Sequence, residues 1–154
     1  MELAGRESEN DMTVLYVDDD PDDRFFFEEA IEQLKIPCRL LMADSCMAMK
    51  TIIEDAHIDI IFLDINMPVI DGKQCLKEIK SNEKFKDIPV VAFTVSKSDR
   101  DIEEVYQLGA HYHIVKPYAH INFIATLKII FALDWKKPQP KPAKDKFVIN
   151  LAYT

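Results

Sequence analysis

Short apolar runs alternate with amphipathic stretches along most of the chain, and this alternation predicts the elements of the fold. Five runs rich in Val, Ile, Leu and Phe are typical of strands, and they span residues 14–17, 40–43, 60–63, 88–93 and 112–115. Helical spacing of apolar residues follows each run, over residues 21–35, 45–56, 71–80, 98–108 and 118–133. Asp20 and Ser45 are the expected N-caps of the first two helices, and Asp22 and Asp23 lie where the dipole of the first helix favours negative charge. Since strands that alternate with helices form parallel sheets with right-handed crossovers, the pattern predicts an α/β fold with helices on both faces.

The third run, IIFLD at residues 60–64, is the centre of this pattern. Four consecutive apolar residues end in Asp64, which is typical of a strand buried on both faces of a parallel sheet. Asp64 should therefore lie at the carboxyl end of a central strand, where open α/β sheets bind their ligands. Because a buried carboxylate is costly without a cation, we expect a cationic partner for Asp64.

Polar residues also end or follow three other strands. Asp18 and Asp19 follow the first strand, Thr94 ends the fourth and Lys116 follows the fifth. In a doubly wound sheet of order 2-1-3-4-5 these ends lie side by side with Asp64. Crowded carboxylates repel one another, and a hard divalent cation such as Mg²⁺ relieves that repulsion. With the cation bound, Asp64 could attack a phosphoryl group, while Lys116 supplies positive charge and Thr94 a hydroxyl donor.

Composition narrows the function classes. The chain has 154 residues, of which 48% are hydrophobic and 30% charged, as in one soluble globular domain. A net charge of -8 argues against a nucleic-acid surface, and no run approaches the length of a membrane span. The cysteines at positions 38, 46 and 75 lack metal-ligand spacing, so we expect reduced packing residues in a cytoplasmic protein.

The two ends of the chain differ from the rest. Residues 1–11 are polar and acidic, and we expect them to be flexible. Residues 12–135 hold the predicted elements. Residues 136–154 begin with a Lys/Pro-rich linker, which contains five lysines and one aspartate by position 146, and continue as the apolar segment FVINLAY. The linker should be extended, and the apolar segment should dock on the folded part.

Taken together, the motifs resemble the receiver domain of two-component response regulators, of the stand-alone kind found in chemotaxis. The resemblance covers residues 12–133 and rests on four features in order: the DD pair at 18–19, D-x-N-M-P-x-x-D-G from Asp64, Thr94, and the KP pair at 116–117. It implies a flavodoxin-like sheet of five parallel strands and five helices. It also implies that a sensor histidine kinase or histidine phosphotransfer protein phosphorylates Asp64, with the chain assisting its own phosphorylation and dephosphorylation.

The resemblance further assigns individual roles. Mg²⁺ would be held by Asp19, Asp64 and the backbone carbonyl of Asn66, with Asp18 acting through water. Lys116 would pair with the phosphate, and the bond before Pro117 would be cis.

Two residues depart from the family pattern, and two others are expected to tune the chemistry. His113 stands where receivers commonly have the Tyr or Phe that switches together with the threonine, here Thr94. An imidazole there could swing similarly or could simply be a partly exposed strand residue. Val95 stands where a small residue is frequent, and we expect it to lengthen the lifetime of the acyl phosphate. Asn66 and Ser96 flank the phosphate and would tune its hydrolysis.

The resemblance also implies a surface that passes the signal to a partner. In receivers the fourth helix, fifth strand and fifth helix contact the target protein, and the fifth helix here is apolar enough to meet a partner, a second copy or the tail.

The chain could be a terminal effector or a phosphorelay intermediate, or a module that binds partners without phosphorylation. A haloacid-dehalogenase-type phosphatase needs a second Asp where this chain has Asn66, and an FMN phosphate would be repelled by the acidic first loop.

Overall fold

The computed structural model describes residues 11–151, so the segment expected to be flexible lies, apart from Asp11, outside the described residues. The strands are β1 (Met12–Val17), β2 (Cys38–Ala43), β3 (Ile60–Leu63), β4 (Val90–Thr94), β5 (Tyr112–Val115) and β6 (Val148–Ile149). The helices are α1 (Pro21–Leu34), α2 (Cys46–Asp55), α3 (Gly72–Ser81), α4 (Asp99–Gln107) and α5 (His120–Phe131). None of the helices among these residues is long and apolar enough to cross a membrane.

The strands form one parallel sheet in the order β2-β1-β3-β4-β5-β6. The predicted doubly wound α/β architecture and the order 2-1-3-4-5 are confirmed for the first five strands. The predicted number of strands is wrong, because β6 pairs with the outer edge of β5, with His113 opposite Val148 and Ile114 opposite Ile149. The β5 edge would otherwise present unpaired backbone groups, and two β-branched residues of the tail satisfy some of them.

β3 lies in the centre of the sheet, and all four of its residues are fully buried. One apolar layer packs α2, α3 and α4 against the sheet, and the other packs α1 and α5 against the opposite face. This two-sided coverage is the physical reason for the uninterrupted apolar run at residues 60–63. Asp64 is thereby carried to the end of a rigid, buried strand.

Side-chain caps fix the beginnings of four helices. Asp20, Ser45, Asp71 and Ser98 each accept a hydrogen bond from a backbone N–H in the first turn of α1, α2, α3 and α4, respectively. Each cap satisfies a donor that the helix itself leaves unpaired. The first and third of these helices therefore begin next to the carboxyl ends of β1 and β3.

A disulfide joins α2 to α3. Cys46 and Cys75 are bonded, with their Cα atoms 5.9 Å apart, so the expectation that the cysteines are all reduced is wrong for this pair. The spacing of the two residues gave no sign of the bond, because it depends on two helices that pack side by side on one face of the sheet. Cys38 lies buried at the start of β2.

The tail, defined here as residues 136–151, runs past α4 and the outer edge of β5. It contains a 3-10 turn at Lys144–Lys146 and then β6. Phe147 is fully buried between the turn and the strand. On α5, Ile121 and Ile129 remain 76% and 46% exposed, so the tail leaves these two apolar side chains uncovered.

Candidate phosphoryl-transfer site

The carboxyl ends of β1, β3, β4 and β5 bring the predicted site residues to one edge of the sheet. The Asp64 backbone N–H donates to the Val17 carbonyl at 2.9 Å, and the Lys116 N–H donates to the Thr94 carbonyl at 2.8 Å. These bonds continue the strand ladders by one residue, so they place the functional side chains side by side. Asp18, Asp64, Thr94 and Lys116 are all buried there, whereas Asp19 is exposed.

Lys116 is the cation that meets the buried acids. Its Nζ atom lies 2.6 Å from Asp18 Oδ2, 2.8 Å from Asp23 Oδ2 and 3.1 Å from Asp64 Oδ2. The sequence predicted a cationic partner for Asp64, and the described structure supplies Lys116 in that place. Charged hydrogen bonds of this length are strong when water is excluded.

Burial and charge set the protonation states of this pair. Burial raises the pKa of Asp64 from the ordinary 3.8 to about 6. The Lys116 charge and the Asn66 backbone N–H lower that pKa without cancelling burial, and the charge of Asp18 raises it further. Burial lowers the pKa of Lys116, but the carboxylates of Asp64 and Asp18 outweigh it, so that pKa lies above its ordinary value. At neutral pH Lys116 is charged and Asp64 is a destabilised carboxylate.

Three residues that hold this pocket were not predicted for it. Asp23, expected only to favour the start of α1, reaches Lys116 across 93 positions of sequence. Tyr16 donates its hydroxyl to Asp18 Oδ2 at 2.8 Å, and Arg24 donates to the Asp18 carbonyl at 2.8 Å. The available signal for Asp23 was its place in the first turn of the helix that follows the acidic loop.

The acidic residues are arranged to bind a divalent cation. One carboxylate oxygen each from Asp18, Asp19 and Asp64 lies within 4.8 Å of the others. An octahedral Mg²⁺ with ligands at about 2.1 Å holds neighbouring oxygens about 3 Å and opposite ones about 4 Å apart, so small rotations of the side chains suffice. Because Asp19 is exposed, water can complete the coordination. The donor set therefore fits Mg²⁺.

The loop after Asp64 is packed closely against the strand end. Asp64 Oδ1 accepts the Asn66 backbone N–H at 2.9 Å. A Cβ atom at position 72 would collide with the backbone of Asp64 and Ile65, which explains why glycine begins α3. In the D-G pair of the motif, Asp71 therefore caps α3, and Gly72 lets the helix start pack directly against the Asp64 backbone.

Thr94 lies in a polar network beside the acids. Its hydroxyl accepts hydrogen bonds from Asn66 Nδ2 at 3.0 Å and from the Ser96 backbone N–H at 3.3 Å. Val95, between them, is 55% exposed. Ser96 Oγ in turn hydrogen-bonds Asp101 of α4. The residues expected to flank the phosphate therefore lie together at the mouth of the site.

His113 is buried and points toward this network. Its side chain is fully buried and Nε2 lies 2.8 Å from the Ser96 carbonyl oxygen, so the alternative of a partly exposed strand histidine is wrong. Burial lowers the pKa of His113, and the hydrogen bond to Ser96 opposes that shift only in part. The imidazole is therefore neutral at physiological pH.

The peptide bond before Pro117 is trans, so the expectation of a cis bond is wrong for this structure. No cis peptide bond occurs among residues 11–151. The trans form is favoured for most bonds to proline, and Lys116 reaches Asp18 and Asp64 from the trans backbone.

The comparisons with known proteins agree on one family. The model of the response regulator receiver domain matches residues 14–128. The probable methanogenesis regulatory protein FilR2 of Methanothrix harundinacea is 33% identical over 85 residues, which is 54% of this chain and 54% of that protein. The chain thus matches about half the length of this curated relative.

Two solved structures share the fold. The Mn²⁺-bound response regulator Rcp1 is 25% identical with a TM-score of 0.73, and the phosphorylated cyanobacterial phytochrome response regulator RcpA is 26% identical with a TM-score of 0.76. Each match covers 86% of this chain and 99% of the other. The doubly wound sheet described above is accordingly the flavodoxin-like α/β fold.

Proposed function

This chain belongs to the response regulator receiver family of two-component signalling, and from that premise we propose that Asp64 accepts a phosphoryl group from a phosphohistidine. The observation that carries the proposal is the buried Lys116 ammonium shared by Asp18, Asp23 and Asp64. A lysine held there can exchange its hydrogen bond with a carboxylate for one with an oxygen of the incoming phosphoryl group. Receiver domains bind Mg²⁺ in their acidic site, and Asp18, Asp19 and Asp64 would hold it here.

The transfer uses Asp64 as the nucleophile. A carboxylate oxygen of Asp64 attacks phosphorus, the bond between phosphorus and the imidazole nitrogen breaks, and the electron pair remains on the departing histidine, which takes up a proton. Lys116 faces the incoming oxygens with a fixed positive charge. Mg²⁺, when bound, neutralises the acidic pocket so that the phosphoryl group can approach. The burial that raises the pKa of Asp64 also makes this carboxylate a poorly solvated, reactive one.

Thr94 and His113 would transmit the change. The Thr94 hydroxyl oxygen accepts hydrogen bonds from Asn66 Nδ2 and the Ser96 backbone N–H. A phosphoryl group on Asp64 would offer the Thr94 O–H a strong acceptor and so draw the side chain toward it. Movement of Thr94 would shift Ser96, whose carbonyl contacts His113. Phosphorylation would thereby shift an existing equilibrium of the loop and α4. Val95 would limit the access of water, while Asn66 and Ser96 would tune hydrolysis.

The partners follow from this chemistry. We assign a sensor histidine kinase or a histidine phosphotransfer protein as the phosphodonor, with the cytoplasm as their common compartment. The target protein would contact the face formed by α4, β5 and α5, where Ile121 and Ile129 stay exposed. These two side chains could equally serve a homodimer, which sedimentation of the phosphorylated protein would reveal.

Intact-mass spectrometry tests the proposal directly. The full chain is incubated with Mg²⁺ and acetyl phosphate, and the wild type should gain one phosphoryl group whereas Asp64→Asn should gain none. Asp87→Asn, which alters an exposed aspartate outside the site, is the matched control and should be labelled like the wild type. Labelling of Asp64→Asn, or an unlabelled wild type with metal and donor present, would refute the assignment.

A further inference from the structure

The groove between α4 and the outer edge of β5 is filled by the chain's own tail. Phe147 inserts into it, fully buried, with its ring 4.9 Å from the Tyr106 ring in an edge-to-face contact. Val105 and Ala110 belong to the same apolar cluster. The pocket therefore accepts one aromatic side chain at the end of an extended segment.

Backbone pairing fixes the orientation of the segment. The His113 N–H donates to the Phe147 carbonyl at 3.0 Å, and β6 continues in parallel for two residues. Val148 and Ile149 are only half-buried. This is the geometry by which extended peptides add to an exposed sheet edge.

Charge complements the apolar anchor. Lys144 forms an ion pair with Glu103 of α4. Lys141 Nζ lies 3.8 Å from the centre of the Tyr106 ring and also donates to the Tyr106 carbonyl. α4 carries four acids, at positions 99, 101, 103 and 104. Of these acids Glu103 contacts the tail, whereas Asp101 and Glu104 pair with Lys73 of α3. The basic residues before Phe147 therefore contact one acid and one aromatic ring of α4.

The hold on the tail is limited. Its end is anchored by one fully buried side chain and a two-residue strand. Lys141 and Lys144 are exposed, and the Lys144–Glu103 pair is about half exposed on both sides, where ion pairs contribute little. A segment with the same features on another protein could therefore compete for the groove.

The groove also communicates with the acidic site. His113 pairs with the tail through its backbone N–H and contacts the Ser96 carbonyl through its ring. Ser96 donates its backbone N–H to Thr94. The occupant of the groove is therefore connected to Thr94 through two intervening residues, His113 and Ser96.

We propose that this groove is a docking site for an extended basic segment of a partner protein in which an aromatic residue precedes two β-branched residues, and that residues 141–149 occupy it as an internal competitor. The proposal rests on the proposed function in one respect, the use of the α4, β5 and α5 face for output. Binding itself requires no phosphoryl group, so it is measured on unphosphorylated protein and can fail independently of phosphorylation.

A peptide with the sequence of residues 141–151, labelled with a fluorophore, serves as the probe. Full-length Phe147→Ala, whose own tail lacks the anchor, should bind it at least tenfold more tightly than the wild type by fluorescence anisotropy. The same peptide with alanine in place of phenylalanine should bind at least tenfold more weakly. Met47→Ala alters an exposed residue of α2, far from the groove, and should behave like the wild type.

Hydrogen exchange verifies that the tail has lifted. The His113 amide should exchange at least tenfold faster in Phe147→Ala than in the wild type. If that variant does not fold, Lys144→Glu, which places like charges at positions 103 and 144, replaces it, with smaller changes of exchange and binding expected in the same direction.

Three results would overturn the proposal. The first is equal affinity of the peptide for the wild type and the folded variant with the released tail. The second is equal binding of the alanine peptide. The third is a dimer in light scattering whose dissociation on dilution exposes the His113 amide, since the occupant would then be the tail of a second copy.

Discussion

At the scale of single residues, Asp64, the proposed phosphoryl acceptor, is held in a position that lowers the stability of the fold. Its carboxylate is buried at a strand end and remains costly to ionise even though Lys116 lies 3.1 Å away. Lys116 has two further acids to satisfy it, Asp18 and Asp23. Removing the charge of Asp64 should therefore leave Lys116 paired with Asp18 and Asp23, and it should remove the cost of burying the Asp64 carboxylate.

Asp64→Asn should unfold less readily than the wild type near pH 7.5. The pKa of Asp64 is about 6 in the folded chain and 3.8 ordinarily, so the protonated carboxyl favours folding below pH 3.8, and that contribution is lost as the pH rises through 6. We expect a gain of about 1–3 kcal/mol at pH 7.5, shrinking toward zero at pH 4. Urea unfolding at several pH values measures it, and a gain independent of pH would contradict the electrostatic cause.

Val95→Ala should shorten the lifetime of the acyl phosphate. Val95 stands between Thr94 and Ser96 at the mouth of the site and is 55% exposed, so its loss should admit water to the phosphoryl group. Loss of label after removal of acetyl phosphate, followed by intact mass, gives the rate. Lys97→Ala, just beyond Ser96, provides the comparison, and an unchanged rate in Val95→Ala would dismiss the shielding role.

Residue identities in the site were predictable where the sequence pattern carried them. Asp18, Asp64, Thr94 and Lys116 each end or follow an apolar run, so strand prediction alone placed them together. Asp23 was missed, because its contact with Lys116 depends on how α1 packs against the sheet. No local pattern encodes a contact between residues 93 positions apart.

At the scale of elements, the α2–α3 disulfide is the feature that sequence reasoning missed most completely. It closes a loop of 29 positions that contains β3 and Asp64. Closing such a loop stabilises the folded chain by restricting the unfolded one. It also ties α2 to the helix that begins at Gly72, directly behind the Asp64 backbone.

Reduction of this bond should lower the free energy of unfolding by about 3.6 kcal/mol, the loop-closure value for a loop of this length. Chemical unfolding with and without dithiothreitol tests it, and Cys75→Ser should match the reduced wild type and no longer respond to the reductant. Mass spectrometry after alkylation of the chemically unfolded chain without reductant should find one modified cysteine, the otherwise buried Cys38, in the wild type. Three modified cysteines would show that the bond does not form in solution.

The helix boundaries were predicted well because caps are local. Asp20 and Ser45 were expected as caps, and each accepts a backbone N–H of the following helix. Asp71 and Ser98, where the third and fourth helices were predicted to begin, do the same. β6 was not predicted as a strand, since two β-branched residues after a lysine-rich linker carry no periodicity. Its formation depends on the free edge that β5 offers.

At the scale of the whole molecule, a metal ion bound at the acidic site would affect the stability of the entire fold. The chain carries -8 overall, and three of its carboxylates converge within 4.8 Å. A divalent cation bound only by the folded chain shifts the folding equilibrium toward it. Metal binding should therefore be visible in global stability as well as in phosphorylation.

Mg²⁺ at about ten times its dissociation constant should raise the melting temperature by roughly 3–5 °C, from about 1.4 kcal/mol of linkage in a chain of this size. Differential scanning fluorimetry with Mg²⁺ and then excess EDTA measures the shift. Asp19→Asn should lose most of it because Asp19 contributes one of the three oxygens, whereas Asp87→Asn should keep it. Equal shifts in both variants would place the ion elsewhere.

The late position of β6 along the chain has a consequence for biosynthesis. A ribosome makes the first five strands before β6, so a nascent chain can complete its main sheet while the side of β5 is still bare. During that interval the bare side can recruit a neighbouring polypeptide and begin aggregation. Emergence of FVI at residues 147–149 closes this period, and chains cut short before it should precipitate more readily on expression.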